Sequence, residues 1–398
     1  MNADRKLFTL VSILIGISVI LSYTLASYAT LLFNVNEFHF VIRQSVFALL
    51  GMSIIFGLSR LNPDIWLKRV GFTLFFGSLF LMIAMPFMPE SMVSAVGGAK
   101  RWIKLGGISL APVEFFKVGF VYFLAWSFSR KLGHHDGMGL SNEFKRFAPY
   151  AVIFIGAMFI IAFLQKDLGQ VVVLGLTLLF MLIFAGSSFR FFLTILGGIF
   201  TAILIFIFTA EHRILRIKSW WALAQNSVLE ILPASLADKL RVPVEVEPYQ
   251  IGHSLNAINN GGFFGVGIGN GTFKLGFLSE VHTDFVLAGL SEEFGFFGVL
   301  FVVIIFLWMI QRIFKVANRS QDKSVHLFSI GIGLILSFAF LVNAYGISGI
   351  TPIKGISVPF LSYGGSAMLG AAFGVGMVLM ASNNVEMDKK QEEEDQTL

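Results

Sequence analysis

The chain has 398 residues, a formal net charge of +5, 56% hydrophobic and only 13% charged residues, and no cysteine. Soluble globular domains carry about 25% charged residues, so a soluble fold is excluded, and the lack of thiols excludes disulfides and thiolate metal sites. A mean hydropathy of +0.80 marks an integral membrane protein, whose excess of Lys and Arg bears on orientation in the bilayer rather than on nucleic acid.

In chain order, about ten apolar segments of near-spanning length are expected at 7–31, 39–59, 70–88, 113–129, 147–164, 169–187, 191–210, 285–310, 325–346 and 360–381. The fourth contains Glu114 and Lys117, and only a short polar turn at Lys166–Gly169 parts the fifth from the sixth. Met1–Lys6 is too short to be a cleaved signal, so the first apolar segment is expected to stay as a membrane helix. The class is an all-α polytopic membrane protein, because backbone groups in lipid must pair within their own segment. A β-barrel would show short alternating segments instead. Residues 1–384 form one membrane unit, with a large extracytoplasmic loop at 211–284 between the seventh and eighth helices. Residues 385–398 form an acidic tail with the composition of a disordered segment.

Basic residues orient the chain. With the N-terminus inside, Arg5, Lys6, Arg60, Lys68, Arg69, Arg130, Lys131, Lys145, Arg146, Arg190, Arg312, Lys315, Arg319 and Lys323 are cytoplasmic. The short loops of the other face hold only Lys100, Arg101, Lys104, Lys166 and Lys354. This bias predicts both termini in the cytoplasm.

The outer segments collect the distinctive residues. Ser-Glu-Val-His-Thr-Asp-Phe, at 279–285, puts Glu280, His282 and Asp284 where a polar stretch meets the eighth span. An acid at a membrane edge is a functional-site hypothesis; a helix cap by Thr283 or Asp284 is the alternative. Lys100 and Arg101 stand beside Trp102, either as an interfacial anchor or as a diphosphate clamp, since guanidinium forks onto phosphate oxygens. Glu114 and Lys117, three apart on one helix face, form a self-neutralising pair or line a cavity. Gln165–Gln170 is a polar turn with a Lys166–Asp167 pair, more than a hairpin needs.

In the long loop, His212, Arg213, Arg216 and Lys218 make a basic strip followed by Trp220 and Trp221, suited to anionic lipid heads or to a lipid diphosphate. Asn259–Gly271 is glycine-rich without being a dinucleotide fingerprint, because G-x-G-x-x-G is absent; a re-entrant or tightly turned segment is expected. Near the last span, Lys354 is a candidate anion contact and Pro359 suits a helix start. Ser362, Gly364, Gly365 and Ser366 permit close helix contact.

Together these motifs resemble the SEDS family of cell-wall polymerases (shape, elongation, division and sporulation; the RodA and FtsW proteins). The resemblance runs from the first helix to about residue 381. It rests on GAKRWI (98–103), QKDLGQ (165–170), His212-Arg213-x-x-Arg216, Tyr249-Gln250 with Ser254, the glycine-rich segment, EVHTDF (280–285) with Glu292-Glu293-x-Gly295, and KGISVPFLSYGGS (354–366). The last motif is closer to the FtsW branch than to the RodA branch. Ala111-Pro112-Val113-Glu114 departs from the family's usual Gln-Pro-Ser-Glu, and Val242–Glu247 is an acidic, insertion-like stretch with no counterpart in the pattern.

The resemblance implies a peptidoglycan glycosyltransferase in the bacterial cytoplasmic membrane. It would polymerise lipid II at the outer face, with a class B penicillin-binding protein and other division proteins as partners. Septal synthesis is expected, with RodA-type side-wall elongation as the alternative within the family. Asp284 matches the aspartate required for polymerisation, and Asp167 matches a cavity-lining position. Substrate contacts are expected from Lys100, Arg101, Glu114, Lys117, Asp167, Arg213, Arg216, His282, Lys354 and Ser362. No metal site and no cofactor are called for, although a divalent cation between Asp284 and the diphosphate stays open. Two other functions compete: a lipid II flippase, which needs cavity charges reachable from both faces, and a non-catalytic division scaffold, which has no use for an acid at Asp284.

Overall fold

The computed structural model describes residues 4–96, 99–106, 108–131, 139–209, 211–230, 233–242 and 249–395. The acidic stretch after Val242, the side chains of His212, Arg213 and Arg216, and the side chains of the tail from 384 lie outside the described residues. The chain forms α1 (Arg5–Thr24), α2 (Ser27–Leu32), α3 (His39–Leu58) and α4 (Pro63–Ala84). Strands β1 (Val93–Val96), β2 (Ala99–Leu105) and β3 (Ile108–Leu110) follow. Next come α5 (Pro112–Lys131), α6 (Leu140–Phe159), α7 (Leu168–Phe184), α8 (Phe189–Phe208), α9 (Glu211–Leu229), α10 (Ala234–Leu240) and α11 (Tyr249–Gly261). The last three are α12 (Val286–Arg319), α13 (Lys323–Ile347) and α14 (Gly365–Asp395).

Among the described residues, seven helices are long and apolar enough to cross a membrane, and Leu168–Phe184 and Phe189–Ile205 are shorter apolar helices. Helix starts follow local chemistry. Asp4 accepts from the Leu7 N–H at α1, Pro63 follows the Asn62 cap of α4, and Ser188 accepts from the Phe191 N–H at α8; each satisfies N–H groups that an unpaired helix end would strand. In the centre, α5 packs on α4, α7, α13 and α14, while α14 also packs on α3 and α12 on α1 and α13. Glycines permit these close approaches: a Cβ on Gly119 of α5 would fall 2.2 Å from the Phe75 nitrogen of α4.

Side-chain hydrogen bonds define two ends. At one, Asp4 accepts from Arg312 Nε (2.9 Å), its N–H donates to Ser382 Oγ (3.2 Å), and Asn383 donates to the Ser59 carbonyl (2.8 Å). Ser129 and Ser324 meet there at 2.7 Å. The opposite end carries the sheet, the turn before α7, helices α9–α11, and the loops before α12 and α14.

Three features differ from the expected spans. The first span, expected over 7–31, breaks after Thr24 into α1 and α2. The stretch between the third and fourth expected spans, 89–112, contains an antiparallel β1-β2-β3 meander, with Val93 paired to Ile103 and Ile103 to Leu110. The last helix begins at Gly365 rather than at 360, and Pro359 does not start it. The Ser362 hydroxyl accepts from the Val358 N–H (2.8 Å), and Phe360 is left-handed at φ 61°, so 358–362 is closed as a turn.

The glycine-rich segment is a turned stretch packed against a break in α12. Gly295 has φ 69° and ψ −169° inside that helix. The groups freed by the break pair with the loop. Phe296 and Phe297 donate to the Gly262 and Phe263 carbonyls (2.9 and 3.2 Å), and Val266 and Gly267 donate to the Glu292 and Glu293 carbonyls (2.9 and 3.1 Å). Irregular backbone at membrane depth needs such protein partners.

Candidate active site

Asp284 lies in the turn just before α12, and three backbone clamps fix that turn. Ser362 Oγ donates to the Thr283 carbonyl (2.6 Å), the Tyr363 N–H donates to the His282 carbonyl (2.9 Å), and Asn343 Nδ2 donates to the Asp284 carbonyl (2.6 Å). α12 has no side-chain cap, so Asp284 is not its capping residue. Its carboxylate lies against Gly355, where a Cβ would fall 2.7 Å from Oδ2. Burial, then the negative charges of Glu280 and Asp167, push the Asp284 carboxyl up to about 7, against an opposing pull from Arg101. A carboxylate whose proton affinity matches neutral pH is suited to general-base work.

Asp167 caps α7, accepting from the Gln170 N–H at 3.2 Å. Burial raises its proton affinity, with Arg101 pulling it down. Arg101 comes from β2. Its Nε donates to the Gln165 carbonyl and its Nη2 to the Lys166 carbonyl, both at 2.7 Å. The sheet therefore places a fixed positive charge within electrostatic reach of both aspartates. Two of the five guanidinium N–H groups are used in this way. Lys100 turns the other way, donating to the Pro86 and Met88 carbonyls at 3.1 and 3.3 Å.

Gln170 links this turn to the membrane interior by donating to Glu114 Oε1 at 3.0 Å, and Glu114 pairs with Lys117 at 2.7 Å. Glu114, Lys117, Ser357 and Pro359 line the polar end of a cleft between α5, α13 and α14 whose other walls are apolar. The pair is therefore self-neutralised where it stands at this cleft.

Lys354 and Ile356 pack on Gly169, which brings the loop before α14 beside the Asp167 turn. His282 is 8% exposed and packs edge-on to Phe40, with ring centroids 5.2 Å apart; burial lowers its proton affinity. Ser362 is also buried, and its hydroxyl accepts from the Val358 N–H and donates to the Thr283 carbonyl, joining the two turns. Its placement is that of a structural clamp, which differs from the substrate contact expected for it.

Sequence reading missed a buried pair beneath the site. Lys274 Nζ meets Glu293 Oε1 at 2.6 Å and donates to the Thr24 carbonyl at 3.0 Å. Beside it, Glu292 Oε1 accepts from the Thr272 N–H (2.6 Å) and from Asn260 (3.0 Å). Asn343 and Gln44 were missed as well. Gln44 Oε1 accepts from the Gly364 N–H at 3.4 Å. A polar side chain inside an apolar helix is the signal that could have found both.

A profile of the FtsW, RodA and SpoVE family, described as cell cycle proteins, matches residues 4–387. A Helicobacter pylori protein named probable peptidoglycan glycosyltransferase FtsW is 48% identical over 380 residues, covering 95% of this chain and 98% of that one. A Trichlorobacter lovleyi protein of the same name is 31% identical over 393 residues, covering 96% and 94%. The crystal structure of Thermus thermophilus rod shape determining protein RodA shares the fold, with a TM-score of 0.64 at 22% identity over 96% of this chain and 97% of that one. A chain of a peptidoglycan synthase complex coordinating polymerization and crosslinking does so with a TM-score of 0.69 at 23% identity over 96% and 98%. With a match that runs nearly end to end, the chain belongs to the FtsW/RodA/SpoVE family of cell cycle proteins.

Proposed function

We propose that this chain is a peptidoglycan glycosyltransferase that polymerises lipid II at the outer membrane face, with Asp284 as the base. The observation that carries the assignment is the Asp284 carboxylate itself, set against Gly355 in a turn that Asn343, Ser362 and the Tyr363 N–H clamp just before α12, with burial raising its proton affinity. The acceptor sugar hydroxyl attacks the donor anomeric carbon as Asp284 takes its proton. The new glycosidic C–O bond forms while the bond to the lipid diphosphate breaks, in an in-line, inverting displacement. The leaving diphosphate takes the bonding electron pair, and nearby cations offset its charge. Arg101 gives two of its five N–H groups to the Gln165 and Lys166 carbonyls, and Lys354 stands on the adjoining loop; Arg213 and Arg216 are further candidates from the sequence alone.

Among the described residues, no three His, Asp or Glu side chains group to hold a metal; Asp284 and Asp167 are the carboxylates a diphosphate-bound divalent cation would meet. Family membership and the 48% identical relative support septal synthesis alongside a class B penicillin-binding protein, in the bacterial cytoplasmic membrane with both termini inside. The clustering of Asp167, Asp284 and Arg101 at one end favours a polymerase over a flippase, which needs charge accessible from both faces.

The test is glycan formation from labelled lipid II by the purified protein bound to its transpeptidase partner. Asp284→Asn keeps the side-chain size but removes the base, and is expected to lower polymerisation roughly 10²- to 10⁴-fold with partner binding intact. A near wild-type rate would sink the catalytic assignment, and loss of lipid II translocation instead would install the flippase.

A further inference from the structure

One side chain joins the Asp284 turn to the loop that faces it. Asn343, on α13, is 2% exposed. Its Nδ2 donates one proton to the Asp284 carbonyl at 2.6 Å and the other to the Ile356 carbonyl at 2.7 Å. Between Lys354 and Ile356 stands Gly355, against the Asp284 carboxylate. Gly355 is not among the glycines with positive φ, so what it supplies is room for that carboxylate rather than an unusual backbone.

We propose that Asn343 is a positioning residue for glycosyl transfer: its amide sets the gap between the Asp284 turn and the Gly355 loop, and so the slot in which the carboxylate stands. The proposal rests on the reading of Asp284 as the base. Among uncharged side chains, the amide group offers two N–H donors that can meet two carbonyls at once. Leu has nearly the same shape and no donor, so it would remove both bonds, leave the buried Ile356 carbonyl without this partner, and free the two segments to separate. Ala at 355 attacks the same slot from the other wall. Its Cβ would fall 2.7 Å from Oδ2 and so displaces the carboxylate from its present place, changing the surroundings that set its proton affinity.

The experiment measures kcat, KM and the pH–rate profile of the full-length protein bound to its transpeptidase partner, with labelled lipid II. Asn343→Leu, Gly355→Ala and Asp284→Asn are compared, and size-exclusion in detergent checks the fold. Asn343→Leu and Gly355→Ala are each expected to lower kcat roughly 10- to 100-fold with KM within about twofold, the pattern of a misplaced reacting group. The Gly355→Ala acid limb is expected to move away from its wild-type position. Wild-type kcat with an unmoved acid limb in Gly355→Ala overturns the proposal, whether or not Asn343→Leu folds. A folded Asn343→Leu with wild-type kcat overturns it too. Failure of the base reading is recognised separately, by Asp284→Asn retaining polymerisation.

Discussion

Arg101 stands between two carbonyls and two carboxylates. The sequence offered it as an anchor or a clamp, and the structure shows it bracing the Gln165–Lys166 turn while lowering the proton affinity of Asp284 and Asp167. Removing the guanidinium takes away an opposing pull, so the proton affinity of Asp284 rises further and more of it is protonated at neutral pH. Arg101→Ala is therefore expected to shift the acid limb of polymerisation to higher pH, with activity recovering in alkaline buffer. Arg101→Lys keeps the charge but not the fork, and should shift the limb less. A uniform loss at every pH would show that Arg101 acts through the turn or the diphosphate rather than through its field at Asp284. Asp284, Asp167 and Arg101 were legible because each sits in a short polar motif. Asn343 and Lys274 were not read: Asn343 shows only as a polar residue in an apolar helix, and the partners of the two, Asp284, Ile356, Glu293 and Thr24, lie 13 to 250 positions away in sequence, so no local pattern announces the pairing.

At the scale of elements, the apolar runs were legible because lipid leaves a helix few alternatives. Their ends were less so. The turn at 358–362 depends on a Ser362 side chain that also reaches Thr283, and β1–β3 are too short to stand out in a chain this apolar. The glycine-rich stretch was recognised as turned, but its partner, the break at Gly295, is a tertiary pairing. Gly265 shows what that pairing demands. Its φ is +80°, and a Cβ there would fall 2.2 Å from the Glu293 carbonyl oxygen. Gly269 has φ +81° but open space around it. Each Ala substitution carries backbone strain of about 1–3 kcal/mol, and Gly265→Ala adds a collision with α12. Thermal unfolding in detergent should show a clearly larger loss for Gly265→Ala than for Gly269→Ala. Equal losses would mean that the loop does not depend on its seat at the break.

Across the whole molecule, orientation decides whether the site can meet its substrate. The start of α1, the end of α3, the end of α12 and the outgoing part of α14 are tied together by Asp4, Ser59, Arg312, Ser382 and Asn383, so these ends share one face. Arg5, Lys6, Arg60, Arg312 and Arg319 cluster in the same segments, and basic residues in short loops stay in the cytoplasm. Asp284, Asp167 and the sheet lie at the opposite end, which this rule puts outside, where a lipid-linked sugar presented on the outer leaflet would reach Asp284. A topology reporter fused after Ala224, in α9, should therefore be active only outside the cytoplasm, and one fused after Asn318, near the end of α12, only inside. If the α9 fusion reports the cytoplasm, the acid faces inward, and outer-leaflet polymerisation by Asp284 is ruled out whatever its proton affinity.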